Sequence, residues 1–243
     1  RLLAIYPDVE KIDRIGPVRS ARPYFLDWAA EFDAVFVHVG GSPEALDKLA
    51  AYDMRDLNEM SAGRYFWRDA SRNAPHNAYT SSDRLVEADQ KRFADRPAPQ
   101  VAGWRFKEDA PPAERPASAS LAVEYGDPKA DVTWTYDAAQ DAYRRAQGGK
   151  IQTDEDGAVL LAKNIVVQYT DISVIDDVGR RRIATVGDGD ALIALDGLTV
   201  HGTWRKDDRT SRTRYYDASG NQIRFNAGPT WIEVVPKDTN VSF

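Results

Sequence analysis

The sequence predicts an α+β protein: an α/β N-terminal domain with a mixed or parallel sheet, followed by a mainly antiparallel β C-terminal domain. Three observations carry that expectation. Through residue 93, helical stripes of apolar residues alternate with short apolar runs, the pattern of strands joined through helices. Between residues 95 and 120, Pro97, Pro99, Pro111, Pro112 and Pro116 sit among alanines and serines and interrupt regular structure. Beyond 120, β-branched and aromatic residues alternate with polar ones, and Asp156-Gly157, Asp196-Gly197 and Ser219-Gly220-Asn221 punctuate them as hairpin turns. The expected boundaries are 1–107 for the first domain, incomplete at its start, 108–120 for a linker, 121–236 for the second domain and 237–243 for a tail.

Taken in order, residues 2–6 form a short apolar run that reads as a strand. Phe25, Trp28, Ala29 and Phe32 then recur at i, i+3, i+4 and i+7, the stripe of a helix lying on a core. Pro23 biases Arg22 away from helical angles and is itself suited to the first helical position. Residues 34–39 are apolar on both faces, as in a parallel strand covered on each side. Ser42-Pro43-Glu44 reads as a helix start, with serine as cap, proline next and an acid in the first turn. A strand is expected at 64–67 and a helix at 83–93, behind Ser81 or Ser82. The island Gly103-Trp104-Arg105-Phe106 could pair as a strand. In the second half, strands are expected around Val132, Trp134 and Tyr136 and at 165–167, 172–175, 181–186, 190–195, 198–204, 222–225 and 230–235.

Composition narrows the function classes. A chain of 243 residues with 42% hydrophobic content can bury one large or two ordinary cores. Its 32 basic and 38 acidic residues give a charge of −6, which disfavours nucleic acid or an anionic membrane surface as the main partner. The basic run Arg180-Arg181-Arg182 reads as a solvated strand edge. Absence of cysteine removes disulfides, thiolate catalysis and cysteine zinc sites. No apolar run reaches the roughly 20 residues of a membrane-spanning helix. The chain opens directly on Arg1-Leu2-Leu3, without the pattern of a signal peptide, so a natural N-terminal part is expected to be missing.

Gly16-Pro17-Val18-Arg19-Ser20-Ala21-Arg22, the run 39–45 (Val-Gly-Gly-Ser-Pro-Glu-Ala) and the run 74–80 (Ala-Pro-His-Asn-Ala-Tyr-Thr) together resemble the YerB-like family of bacterial lipoproteins. The runs 132–137, 164–168, 202–204 and 225–231 extend the resemblance over nearly the whole chain. It implies two adjoining domains and a membrane-anchored protein outside the cytoplasm. It supplies no reaction and no catalytic residues, and the lipoprotein signal and lipidated cysteine are not seen here.

The candidate site comes from the two polar loops that follow apolar runs, at the carboxyl edge where open α/β sheets hold ligands. Arg19 and Arg22 flank Ser20 at a helix start, where a positive charge opposes the helix dipole. Either they grip an anion together with helix N–H groups, or they are paired internally, for example Arg22 with Asp27. His38 is either a satisfied core histidine or a functional group at its strand's carboxyl end. Gly40, Gly41 and Ser42 permit close backbone approach to a ligand, although helix capping alone also accounts for them. The loop residues His76 and Asn77 offer an acid/base group and a hydrogen-bond donor, or a loop pinned by its own side chains. Ser20 or Ser42 as nucleophile lacks any Gly-x-Ser-x-Gly or Ser-x-x-Lys context. Asp154-Glu155-Asp156-Gly157 lacks calcium-loop spacing, and three histidines give no metal pattern, so no metal or cofactor is expected.

The expected role is a binding module for a cell-envelope component or partner protein, at the edge bearing Arg19, Ser20, Arg22, Gly40, Gly41, Ser42 and Asn77. Membrane association is expected only through a lipid anchor absent from this chain. The competing class is an envelope hydrolase or transferase that clamps an anionic substrate with Arg19 and Arg22 and uses His76 or His38 as acid/base. A third class is a structural module docking through an exposed aromatic patch drawn from Trp134, Tyr136, Tyr143, Trp204, Tyr215 and Trp231.

Overall fold

The computed structural model describes residues 1–6 and 11–243. The chain is mostly β with few helices and divides into two units. The first comprises Arg1–Ala102 with Asp208–Arg212, the second Gly103–Asp207 with Thr213–Phe243.

In the first unit, helix α1 (Pro23–Ala30) begins where Pro23 forces it to, with Arg22 extended at φ −134° and ψ 148°. It buries Phe25 and Ala29 of the predicted apolar face together with Leu26, while Trp28 packs on that core half-buried. Strand β1 (Phe36–His38) leads to α2 (Pro43–Ala51), which buries Ala45 and Leu49 and carries a Glu44–Lys48 ion pair one turn apart. Strand β2 (Asp56–Asn58) runs parallel to β1 and passes straight into the short helix α3 (Glu59–Ala62). Strands β3 (Trp67–Arg68) and β4 (Ala78–Tyr79) form an antiparallel pair around the loop 69–77, and α4 (Ser82–Arg92) follows. Two small cores result, one around Leu26, Phe36 and Leu49, the other around Leu57, Tyr65 and Ala88.

Two expectations fail here. Residues 2–6 form no strand: Leu2, Ile5 and Tyr6 are exposed, and only Leu3 rests partly buried on the first core. Residues 63–65 form a 3₁₀ turn, so the strand expected at 64–67 is displaced to β3. Helix α4 starts as expected, with the Ser81 hydroxyl accepting from the Arg84 N–H. Ser81→Ala removes that cap and is expected to cost about 1 kcal/mol, read as a lower urea midpoint for the first unit.

The second unit takes its strands in chain order as β5 (Arg105–Lys107), β6 (Ser120–Val123), β7 (Val132–Asp137), β8 (Ala142–Gln147), β9 (Lys150–Ile151), β10 (Leu161–Ala162), β11 (Asn164–Thr170), β12 (Ile172–Val174), β13 (Arg181–Ile183), β14 (Gly187–Leu195), β15 (Leu198–Lys206), β16 (Arg214–Asp217), β17 (Arg224–Asn226), β18 (Thr230–Pro236) and β19 (Val241–Ser242). One sheet has the order β10-β8-β7-β6-β19, with β9 beside β8, and the other β16-β15-β14-β11-β18. Most pairings are antiparallel, but β18 lies parallel to β11. Trp134, Tyr136 and Tyr143 of the first sheet pack on Ile165, Val167 and Leu192 of the second. On the reverse face of the second sheet its own Trp204 and Tyr215 pack with Phe225 and the half-buried Trp104. Strand β11 is therefore buried on both faces, which explains its unbroken Ile165-Val166-Val167 run.

The expected linker and tail belong to this second unit. Strand β5 pairs in parallel with β17, and β19 pairs with β6, so residues 103–107, expected in the first domain, join 108–120 and 237–243 in the β-rich fold. The aromatic set fills the cores. Trp231 alone of the six is half-buried, so these residues form no exposed patch.

Candidate functional site

The residues singled out in the sequence converge within the first unit because segment 15–21 stitches two elements together. Ile15 bridges Thr80 and the Val18 N–H reaches the Ala78 carbonyl at 2.7 Å, which fixes the segment beside β4. Its other end runs parallel to the continuation of β1. The Val39 N–H donates to the Arg19 carbonyl (3.1 Å), the Ala21 N–H to Gly40 (2.9 Å) and the Ser42 N–H to Ala21 (3.2 Å). Arg19 is thereby held between the loop 69–77 and the Gly40-Gly41 turn. The carboxyl ends of three neighbouring parallel segments, at Ala21, His38 and Asn58, each pass towards a helix.

The two glycines are demanded by this geometry. Gly40 sits at φ +58°, in the left-handed region. A Cβ on Gly41 would lie 3.0 Å from the Leu46 side chain and 3.2 Å from Ala21 Cβ, so the close approach of Gly41 is to the protein's own residues. Sequence reasoning missed Asn58. Its Oδ1 accepts from the Gly40 N–H at 3.0 Å and the Met60 N–H at 3.1 Å, and so couples the turn to α3. Asn58 followed by Glu59 is a helix-start signature that could have revealed it.

His38 is 1% exposed, and both ring nitrogens face acceptors. Nδ1 lies 2.7 Å from the Gly40 carbonyl and Nε2 2.6 Å from Asp56 Oδ1. This ring braces the turn and offers no nitrogen to a substrate, which removes the basis for its acid/base candidacy. Ser42 occupies the α2 cap position, yet its side chain makes no capping bond and its buried hydroxyl meets no partner among the described residues. The Ser20 carbonyl accepts from Arg1 Nη1 at 3.0 Å. Among the described residues neither serine hydroxyl is hydrogen-bonded to His38 or His76, so the nucleophile–base contact of covalent catalysis is not formed.

Arg19 and Arg22 are half-buried and His76 is exposed. Arg22 Nη1 donates to the Ala21 carbonyl at 2.7 Å, and Arg19 Nη1 lies 3.0 Å from His76 Nδ1. Among the described residues no carboxylate is within ion-pairing distance of either arginine, and the alternative Arg22–Asp27 pair is not formed. Arg1 completes the cluster: burial foremost, then the like charges of Arg22 and Arg19, lowers its pKa. Asn77 is engaged differently from expectation, its Oδ1 accepting from Arg68 Nη1 at 2.9 Å while Arg68 Nε donates to Glu59 at 3.1 Å.

The loop carrying His76 is pinned by Asp69, whose N–H donates to the Asn77 carbonyl at 2.8 Å. Hydrogen bonds from the Ser71 hydroxyl and N–H, then from Arg14, hold the Asp69 carboxyl at about 2, below its ordinary 3.8. A depressed folded-state pKa stabilises fully above the unfolded value and is lost as pH falls through the folded one. Amide protection factors in loop 69–77, with the intrinsic pH dependence of exchange divided out, are therefore expected to stay constant from pH 8 to 5 and to fall only below about 3.8, towards 2.

One group of carboxylates lies in the second unit. Asp109, Asp141 and Asp196 bring an oxygen each within 4.8 Å of one another. The chain supplies their counter-charges: Lys163 bridges Asp109 and Asp141, Arg115 lies 3.6 Å from Asp141, and Lys107 holds Asp196 at 2.5 Å. This is a neutralised network that fixes the buried Asp196-Gly197 turn, where Asn226 and the Ala110 N–H also bond Asp196.

Comparison with known proteins agrees with the two-unit architecture. Residues 1–95 match the N-terminal domain, and residues 121–232 the C-terminal domain, of a family described as "Protein of unknown function (DUF3048)". The chain is 31% identical over 249 aligned residues to a Bacillus subtilis (strain 168) protein named "Putative lipoprotein YerB", covering 97% of this chain and 71% of that protein. It is also similar to the crystal structure of YerB protein from Bacillus subtilis, with a TM-score of 0.80 at 29% identity over 96% of this chain and 79% of that one. The chain belongs to this YerB-like, two-domain DUF3048 family.

Proposed function

We propose that the protein is an extracytoplasmic binding module of the bacterial cell envelope, lipid-anchored in its full-length form, that captures an anionic group of an envelope component. The first unit acts as the α/β domain of the molecule, and its carboxyl edge is the binding surface. The observation that carries this reading is the Arg1–Arg19–Arg22 cluster, which gathers three guanidinium groups without a paired carboxylate among the described residues in a chain of net charge −6. Like charges held together destabilise a fold unless an anion joins them, and guanidinium groups grip oxyanions bidentately. The relative's name, a lipoprotein, supports the location. The buried His38 and the unengaged serines favour binding over bond cleavage.

Co-sedimentation with isolated envelope fragments tests it. The wild-type chain is expected to sediment with the fragments and the Arg19→Ala/Arg22→Ala variant to stay in solution. Fragments stripped of phosphate-bearing polymer and vesicles of anionic lipid, run in parallel, identify which component supplies the anion. Equal sedimentation of a folded double variant contradicts the proposal, and binding that survives only protease-untreated fragments reassigns the partner to an envelope protein.

A further inference from the structure

We propose that anion capture at this edge is coupled to proton uptake by His76, which makes the site a proton-linked receptor for tetrahedral oxyanions. The inference rests on the anion-binding reading of the Arg19–Arg22 edge and specifies how that edge is regulated. A guanidinium carries donors only, so the Arg19 Nη1 contact at 3.0 Å requires His76 Nδ1 to be the acceptor. That contact is made by a ring whose Nδ1 carries no proton and turns its lone pair to Arg19.

An imidazolium cannot accept that bond. Protonation replaces it with two positive charges about 3 Å apart, with Arg1 adding its charge on the far side of Arg19. An oxyanion seated between Arg19 and His76 reverses the balance. It accepts from both groups at once, and it favours the imidazolium because a charged donor binds an anion more strongly than a neutral one. Anion and proton thus bind with positive coupling, and the coupling is reciprocal.

The surrounding charges leave this linkage to His76. From segment 11–15, Arg14 is tied to Asp69 at 2.5 Å. From β3 and α3, Arg68 is shared by Glu59 and Asn77. Within the loop, Arg72 lies 5.8 Å from the Tyr79 ring centre, and Asp69 is ionised throughout the range in which histidine titrates. The His76 N–H is held by the Asn73 carbonyl at 2.9 Å, so the ring is presented from a fixed backbone.

Sulfate is the suitable probe, since its own charge does not change between pH 5 and 8. Calorimetric titration of the full chain with sulfate, in buffers of different ionisation enthalpy, counts the protons taken up per anion bound. The expected result is uptake approaching one proton, with affinity rising by up to about tenfold per pH unit as pH falls through the His76 transition. The His76→Gln variant is expected to bind sulfate more weakly and without pH dependence. As a readout that needs no variant, the His76 ring-nitrogen resonances should move their midpoint upward when sulfate is added. Sulfate binding that is pH-independent in the wild type, or equally pH-dependent in His76→Gln, overturns the coupling while leaving the anion site standing. Absence of sulfate binding at every pH overturns the anion-site reading and the coupling with it.

Discussion

Replacing Glu233 by alanine is expected to destabilise the second unit by about 3–5 kcal/mol, the cost of leaving a buried charge without its partner. Glu233 and Arg145 are 5% and 3% exposed, and Arg145 Nε and Nη2 each lie 3.4 Å from Glu233 Oε1. The same carboxylate accepts from the Trp134 indole at 3.2 Å and the Tyr125 hydroxyl at 2.6 Å. Desolvation first, then the Glu233 charge, pushes the Tyr125 pKa far above its ordinary value, so that hydroxyl remains a donor. Arg145 in turn lies over the Trp231 ring at 4.5 Å and the Trp134 ring at 5.6 Å. Removing the carboxylate therefore leaves the Arg145 charge without a counter-ion, held only by Gln147 and Gln152, and leaves the buried Trp134 indole N–H without its acceptor. Glu233→Gln keeps acceptor capacity without the charge and is expected to lose less. Urea denaturation followed by tryptophan fluorescence measures both, with the first unit's transition as internal reference.

Arg19→Ala combined with Arg22→Ala is expected to lower anion affinity about 100-fold with little change in stability. Each charged hydrogen bond to a ligand contributes about 1.5–3 kcal/mol, and about 3 kcal/mol is two orders of magnitude in Kd. The stability cost is small because neither side chain holds a core element. Arg19 contacts the exposed His76, and Arg22 bonds the carbonyl of its own neighbour. Conservative Lys replacements test the fork geometry: a lysine keeps the charge but loses the bidentate grip, so intermediate affinity is expected.

The parts of the fold legible in the sequence are those fixed by local chemistry. Pro23 after Arg22, Pro43 after Ser42 and the Ser81 cap set three helix starts, because each acts within one turn of itself. The Asp196-Gly197 turn was equally readable, since both residues adopt positive φ, at +52° and +76°, in a two-residue hairpin. What failed depended on distant partners. Residues 2–6 have strand composition but no edge to pair with among the described residues. The island at 103–106 did pair as a strand, but its partner β17 lies far along the chain, and β19, read as a tail, is a strand because β6 offers an edge.

The site divides in the same way. The Gly40-Gly41 turn and the two arginines stand out by residue type, and the structure brings Arg19 to His76 and lays its segment along the Gly40 turn. Whether His38 was buried or presented could not be read from its strand, because Asp56, its decisive partner, comes from the next strand over. Asn58 went unnoticed since its role is to hold Gly40, a contact created by parallel pairing of β1 and β2.

The most direct test of the central claim is a chemical-shift titration of the full chain with sulfate. Saturable shifts are expected in the Arg1, Arg19 and Arg22 guanidinium N–H groups, the Gly40 and Gly41 amides and the His76 ring, with those that remain observable needing about 100-fold more sulfate in the folded Arg19→Ala/Arg22→Ala variant. Shifts that do not saturate, that fall elsewhere, or that persist undiminished in that variant would contradict it.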